Sequence, residues 1–145
     1  MMKSESCPAC EGQWPRGDHR IKESRLTVAF LHDDQFFPGW TLLVLKRHAQ
    51  ELFELPRDDR NQLMEEISTM AETLAEVFQA VKINYALLGN QLPHIHWHLI
   101  PRLAGDPALQ DPVWSIPHEP RRLAHELLQE RIDRIAAAVA LRWRE

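Results

Sequence analysis

The heptapeptide His94 to Ile100, HIHWHLI, alternates imidazoles with large apolar side chains and so dictates its own backbone. Side chains of an extended strand point alternately to opposite faces. His94, His96 and His98 therefore share one face, while Ile95, Trp97 and Leu99 share the other. So apolar a face requires neighbouring strands and a covering layer behind them, which leaves the histidine face open.

The rest of the chain offers both. RLTVAFLHD from Arg25 and GWTLLVLKR from Gly39 are β-forming runs separated by the turn-rich DDQFFPG, which predicts a hairpin-like pair. INYALLGN (Ile83 to Asn90) reads as a strand ending at a Gly-Asn turn. It is expected to pair antiparallel, across that short turn, with a histidine strand running from His94 to Ile100 and stopping at Pro101.

Between these pairs Leu63, Ile67, Met70, Leu74, Val77 and Val81 recur at helical spacing behind PRDD, which can cap a long amphipathic helix. After the Pro-rich loop GDPALQDPVWSIPHEP, the residues Leu123, Leu127, Leu128, Ile132, Ile135 and Val139 predict a C-terminal helix. The expected architecture is α+β, an antiparallel sheet of about five strands covered on one face by the two helices. At 145 residues and 44% hydrophobic, the chain suits one domain. Residues 1–24 form an N-terminal arm with a C-x-x-C, 25–102 the core, and 103–145 the loop and last helix.

The formal charge of -4, with both signs mixed along the chain, lacks the footprint of a nucleic-acid binder but leaves room for a small phosphate ligand. No apolar run approaches the roughly 18 residues of a membrane span, and the N-terminus lacks a signal-peptide centre. The expectation is a cytoplasmic protein without membrane or nucleic-acid partners.

Three alternating histidines admit few explanations. As ligands of one ion they are poorly placed, because a rise of about 3.3 Å per residue puts the outer Cα atoms roughly 13 Å apart, although two could share a metal. As a chance polar face they are odd, since exposed strands favour Thr, Lys, Glu or Ser. Nucleophilic catalysis uses them fully: a neutral imidazole attacks, and its neighbours hydrogen-bond the charge that develops on a phosphoryl group.

HIHWHLI resembles the signature of the histidine triad (HIT) family of nucleotide hydrolases and transferases. The resemblance extends over VAFLHDDQFFPGWTLLVLKRHAQELFEL and LLGNQLPHIHWHLIPR, from about Arg25 to Arg102. It implies that His96 attacks the α-phosphate of a nucleotide, forming a nucleotidyl-imidazole that water cleaves to release the monophosphate. It implies that His98 contacts the scissile phosphate and assists the leaving group, and that His94 orients the nucleophile. Asn90 and Gln91, with backbone amides near Gly89, fall where the family binds phosphate.

His32 or Asp33 falls where relatives hold the ribose, the alternative being an exposed loop pair. Leu31, Phe36 and Phe37 are candidates for the wall against sugar and base, with ordinary core as the competing reading. The chain departs from the family at Trp40, in FFPGWTLL, where a further histidine is usual.

The cysteines, Cys7 and Cys10, are the only two, and alone they are a weak metal signal. Some bacterial-type relatives complete such a pair with a histidine after the second strand and the first of the triad. Here those positions are Cys7, Cys10, His48 and His94, implying a structural zinc that catalysis does not require; two free thiols on an arm are the alternative. His19, His118 and His125 are expected at the surface, and Trp114 is a candidate to reach a neighbouring subunit's site.

The implied protein is a homodimeric hydrolase of a nucleoside phosphoanhydride, of the diadenosine polyphosphate kind, or of a phosphoramidate. The competing readings are nucleotidyl transfer to an acceptor other than water, and a nucleotide-binding or interaction protein that keeps the fold.

Overall fold

The structure is a computed structural model that describes residues 6–143; the first five residues of the arm and residues 144–145 of the last segment lie outside the described residues. Five strands form one antiparallel sheet: β1 Arg20–Glu23, β2 Thr27–Leu31, β3 Thr41–Leu45, β4 Lys82–Ala86 and β5 His96–Arg102. Their order across the sheet is β1-β2-β3-β5-β4, so the histidine strand lies between β3 and β4. Two helices, α1 Arg57–Phe78 and α2 His125–Arg142, complete the fold.

The alternation works as the sequence requires. Leu43 faces Trp97 and Thr41 faces Leu99 across β3 and β5. Behind this face α1 places Leu63, Ile67, Met70 and Leu74, and α2 places Leu128, Ile132, Ile135 and Val139, in one buried cluster with Leu43, Leu45, Ile95 and Leu99. Helix α1 begins after Pro56 with Asp58 and Asp59 in its first turn, where carboxylates complement the helix dipole. It ends where Gln79 turns left-handed, so Val81 lies beyond it. The hairpin-like pair is present, β2 running antiparallel to β3 from Thr27↔Leu45 to Leu31↔Thr41.

Three expectations change. Residues 20–23, within the segment read as an arm, form the edge strand β1, which joins β2 through an irregular register. Strand β5 begins at His96 rather than His94, because Ile95 exchanges its backbone bonds with Leu45 and Ala49 in the approach to the sheet. The link from β4 is therefore nine residues, 87–95, not a tight turn. At its other end β5 continues through Pro101 to Arg102. Leu99 is the last residue paired to β3, so the donor that Pro101 lacks would have had no partner on that side.

The opposite face is covered too. Phe37, Trp40, Ile100 and Val113 form a second buried cluster there. Arg102, 1% exposed, ends β5 on the same face and holds the Pro-rich segment: Nε and Nη2 bond the Asp106 carboxylate, Nη1 donates to Asn84 Oδ1 and the Asp111 carbonyl, and Nη2 also reaches the Ala108 carbonyl. That segment contributes only a short turn, Val113–Ser115.

Candidate active site and metal cluster

The histidine face is a cavity floor rather than an open surface. A cavity of about 790 Å³ is lined by His96, His98, His32, the 88–92 turn with Gly89, Asn90 and Gln91, Trp114, and Pro8 and Trp14 of the arm. The structure thus gathers His96, His98, His32, Gly89, Asn90 and Gln91 as the sequence led one to expect. Trp14, edge-on to His96 with ring centres 5.0 Å apart, was not foreseen, because nothing between Cys10 and Arg20 signals which way the arm folds.

Hydrogen-bond partners assign each imidazole its tautomer. His96 Nδ1 lies 2.7 Å from the His94 carbonyl, which can only accept, so Nδ1 carries the proton and Nε2 keeps its lone pair. His98 is the reverse: the Trp40 indole N–H, donor only, gives its proton to His98 Nδ1 at 3.0 Å, leaving the N–H of His98 on Nε2. His32 Nδ1 lies 3.0 Å from the Asp34 amide nitrogen and 3.2 Å from the Asp34 carbonyl, one a donor and the other an acceptor, so these partners do not fix its tautomer. The cavity therefore holds one imidazole, His96, with a free Nε2 lone pair beside one, His98, whose Nε2 donates.

Burial favours the neutral form of His98 and of His32. It lowers His98 to about 3, helped by the neighbouring His96 and His32. Burial also lowers His32, against the opposing pull of Asp34.

His94 does not share the cavity. It precedes β5, is 1% exposed, and turns toward the thiols, so the expected row of three on one face is a pair. What reaches His96 is its backbone carbonyl. Asp33 likewise points away from the cavity, to Arg122 Nε at 2.9 Å.

Leu31 belongs to the helix-side core and Phe37 to the second cluster, while Phe36 lies stacked against His118, so none of the three walls the cavity. Trp114 packs on the His98 of its own chain, ring centres 5.1 Å apart, and keeps half of its surface exposed.

Two of the remaining histidines are not at the surface as expected. His19 is buried and donates from Nδ1 to the Leu31 carbonyl, which fixes the start of β1. His118 is half-buried and gives Nδ1–H to the Ile116 carbonyl and Nε2–H to Asp34, so both partners accept and the ring is an imidazolium. The hydrogen bond to Asp34 is the main cause of its raised proton affinity. His125 is exposed.

Cys7, Cys10, His48 and His94 come together, with one ligand atom of each within 4.8 Å of all the others. Four of the six edges are 3.4 Å for Cys7 Sγ to His94 Nδ1, 3.5 Å for Cys10 Sγ to His94 Nδ1, 3.3 Å for Cys10 Sγ to His48 Nδ1, and 3.2 Å between the two Nδ1 atoms. Metal bonds of about 2.0–2.3 Å in a tetrahedron demand edges of roughly 3.3–3.8 Å, so the donor set fits zinc. His94 Nε2 donates to the Leu45 carbonyl at 2.7 Å, which leaves the Nδ1 lone pair facing the thiols, as a ligating histidine requires. Burial and the adjacent Cys7 thiol push Cys10 up to about 11.

Fold and site define an α+β domain that sets paired, oppositely polarised imidazoles at the floor of one cavity. The family model of the HIT domain matches residues 16–105, and the chain belongs to that histidine triad family. A histidine triad protein of Bradyrhizobium japonicum is 33% identical, covering 83% of this chain and 89% of its own, with a TM-score of 0.76. A Zn-bound histidine triad family protein of Mycobacterium smegmatis is 26% identical over 96% of each chain, with a TM-score of 0.69. Among curated relatives, the asymmetrical bis(5'-nucleosyl)-tetraphosphatase of Schizosaccharomyces pombe is 26% identical over 108 residues, 71% of this chain and 59% of that protein. Among the described residues no helix is long and apolar enough to cross a membrane.

Proposed function

We propose that this chain hydrolyses a nucleoside phosphoanhydride or phosphoramidate at its α-phosphate through a covalent nucleotidyl-His96, releasing a nucleoside monophosphate. The observation that carries the reading is the 2.7 Å bond from His96 Nδ1 to the His94 carbonyl, which leaves the Nε2 lone pair as nucleophile. Nε2 forms a bond to the α-phosphorus, and the electron pair of the scissile bond departs with the leaving group. The proton stays on His96 Nδ1, hydrogen-bonded to the His94 carbonyl, which stabilises the cationic nucleotidyl-imidazole. Water then attacks the same phosphorus and gives up a proton to solvent, the P–N bond breaks, and the pair returns to Nε2.

His98 Nε2–H donates to the phosphoryl group as charge builds on it. The turn carrying Gly89, Asn90 and Gln91 supplies further donors beside it; Gly89, with a φ of 72°, adopts the left-handed backbone that such a turn needs. His32, which lines the cavity, meets the ribose.

Residues Cys7, Cys10, His48 and His94 hold a structural zinc in this reading. A bound zinc ties the arm to the sheet and takes no part in phosphoryl chemistry. The chain acts as a homodimer in the cytoplasm; β4 is an edge strand that carries exposed Tyr85 between exposed Val81 and Leu88, a surface suited to pairing with a second copy.

Incubation with diadenosine tetraphosphate tests the reading through its products. Hydrolysis at an α-phosphate yields AMP together with ATP in equal amounts; a symmetrical split into two ADP would contradict it.

A further inference from the structure

Trp40 reaches His98 from the residue before β3, and its surroundings fix how it does so. Its ring is held on three sides: His32 stacks on it at 4.1 Å with planes 8° apart, Phe37 meets it edge-on, and Trp114 packs against it at 5.7 Å. Its backbone is equally constrained. Gln35, 1% exposed, donates to the carbonyls of His32 and Trp40 and accepts the Gly39 amide. Gly39 has a φ of 91° and no room for a Cβ, which would lie 2.7 Å from the Phe78 ring. The indole N–H is thus aimed at His98 Nδ1 with little freedom to turn away.

An indole N–H donates and never accepts, whereas an imidazole in its place could do either and could pass a proton on. His98 is consequently a hydrogen-bond donor through Nε2 and has no proton to surrender, since a neutral imidazole is far too weak an acid. The titratable groups facing it are His96, beside it on β5, and His32, from the end of β2; Trp40 and Trp114 carry no charge.

We propose that Trp40 is a positioning residue that, by fixing His98 as a neutral donor, confines this chain to substrates whose leaving group departs as a weakly basic anion, a phosphoanhydride rather than a phosphoramidate. The inference rests on His96 as nucleophile. When Nε2 of His96 bonds to the α-phosphorus of an anhydride, the P–O pair leaves on a phosphate oxygen that needs no proton, and a hydrogen bond suffices. When the scissile bond is P–N, the pair would leave on an amide nitrogen that must gain a proton, and His98 cannot supply it.

The test compares kcat and KM of the full-length wild type, Trp40→Phe and Trp40→His on a diadenosine polyphosphate and on adenosine 5'-phosphoramidate across pH, with ¹⁵N NMR of the imidazoles. The wild type should favour the anhydride in kcat/KM by about 10²-fold or more, the usual span of general acid catalysis. Trp40→His should narrow that preference at least tenfold and add a pH limb to phosphoramidate cleavage. Trp40→Phe, which keeps the packing but not the N–H, should lower kcat on the anhydride with KM little changed and mix the His98 tautomers.

Equal turnover of both substrates by the wild type would overturn the inference while leaving the hydrolase reading intact. So would a His98 ring seen at neutral pH as imidazolium or with its proton on Nδ1, whatever the activity. Turnover of neither substrate, with no nucleotidyl-protein formed, would overturn both readings.

Discussion

The backbone carbonyl of His94 accepts the Nδ1 proton of His96 at 2.7 Å, while the side chain of His94 turns to Cys7 and Cys10. One residue thereby faces two sites: its ring completes the metal cluster and its peptide orients the nucleophile. The three predictions about catalysis and metal depend on this arrangement.

Replacing His96 with Ala removes the attacking atom and little else. Turnover should be abolished while nucleotide binding, measured by calorimetry, persists. Residual turnover near the wild-type rate would exclude His96 as nucleophile.

His98→Ala removes a donor that acts most strongly in the transition state. It should lower kcat by about 10²-fold or more. A variant altered only in KM would show that His98 serves ground-state binding instead.

Cys7→Ser deprives the cluster of a buried sulfur ligand. Elemental analysis should show zinc in the wild type and its loss in the variant, with a lower Tm, because metal binding contributes folding free energy. The Cys7–Trp14 stretch is bonded internally, Glu11 N to the Cys7 carbonyl and Gln13 N and Trp14 N to the Pro8 carbonyl, so Trp14 fluorescence should change as the arm loosens. A metal-free wild type of unchanged stability would remove zinc from the account.

Arg102→Ala leaves the Asp106 carboxylate, 3% exposed, without its cation. Breaking such a buried pair costs roughly 3–5 kcal/mol, which chemical denaturation should register. A loss under about 1 kcal/mol, the scale of exposed pairs, would mean that water replaces the guanidinium there.

The His118–Asp34 pair fastens the Trp114 segment to the β2–β3 loop, with Arg121 N also donating to Asp34. Burial opposes ionisation of Asp34, but bonds from Arg121 N, Phe36 N and His118 outweigh it and hold its carboxyl below the usual range. Because folding raises the proton affinity of His118, its contribution is complete below the ordinary histidine value of about 6.5 and fades as pH rises through the raised value. Hydrogen exchange in residues 113–121 should quicken across that range in the wild type and be pH-independent, once corrected for intrinsic rates, in His118→Ala.

Much of this was legible in HIHWHLI, since period-two alternation fixes which side chains face the helices. The helices were equally plain from their apolar spacing. His94 defeated the pattern because Ile95 bonds to Ala49 and Leu45, a pairing between distant segments that no local rule reveals. Strand β1 hid for the opposite reason: RIKE is four residues long with one buried side chain, and its strand form comes from β2 and α2. The anchoring roles of Gln35 and Arg102 were also invisible, as each binds groups brought together only by the finished fold.

The measurement that bears most directly on the account is intact mass after rapid quenching of the protein with a diadenosine polyphosphate, with His96→Ala in parallel. The account predicts a transient adenylyl adduct that maps to His96 and is absent from the variant. Release of AMP at full rate with no adduct on the quench timescale, or an adduct on another residue, would contradict it.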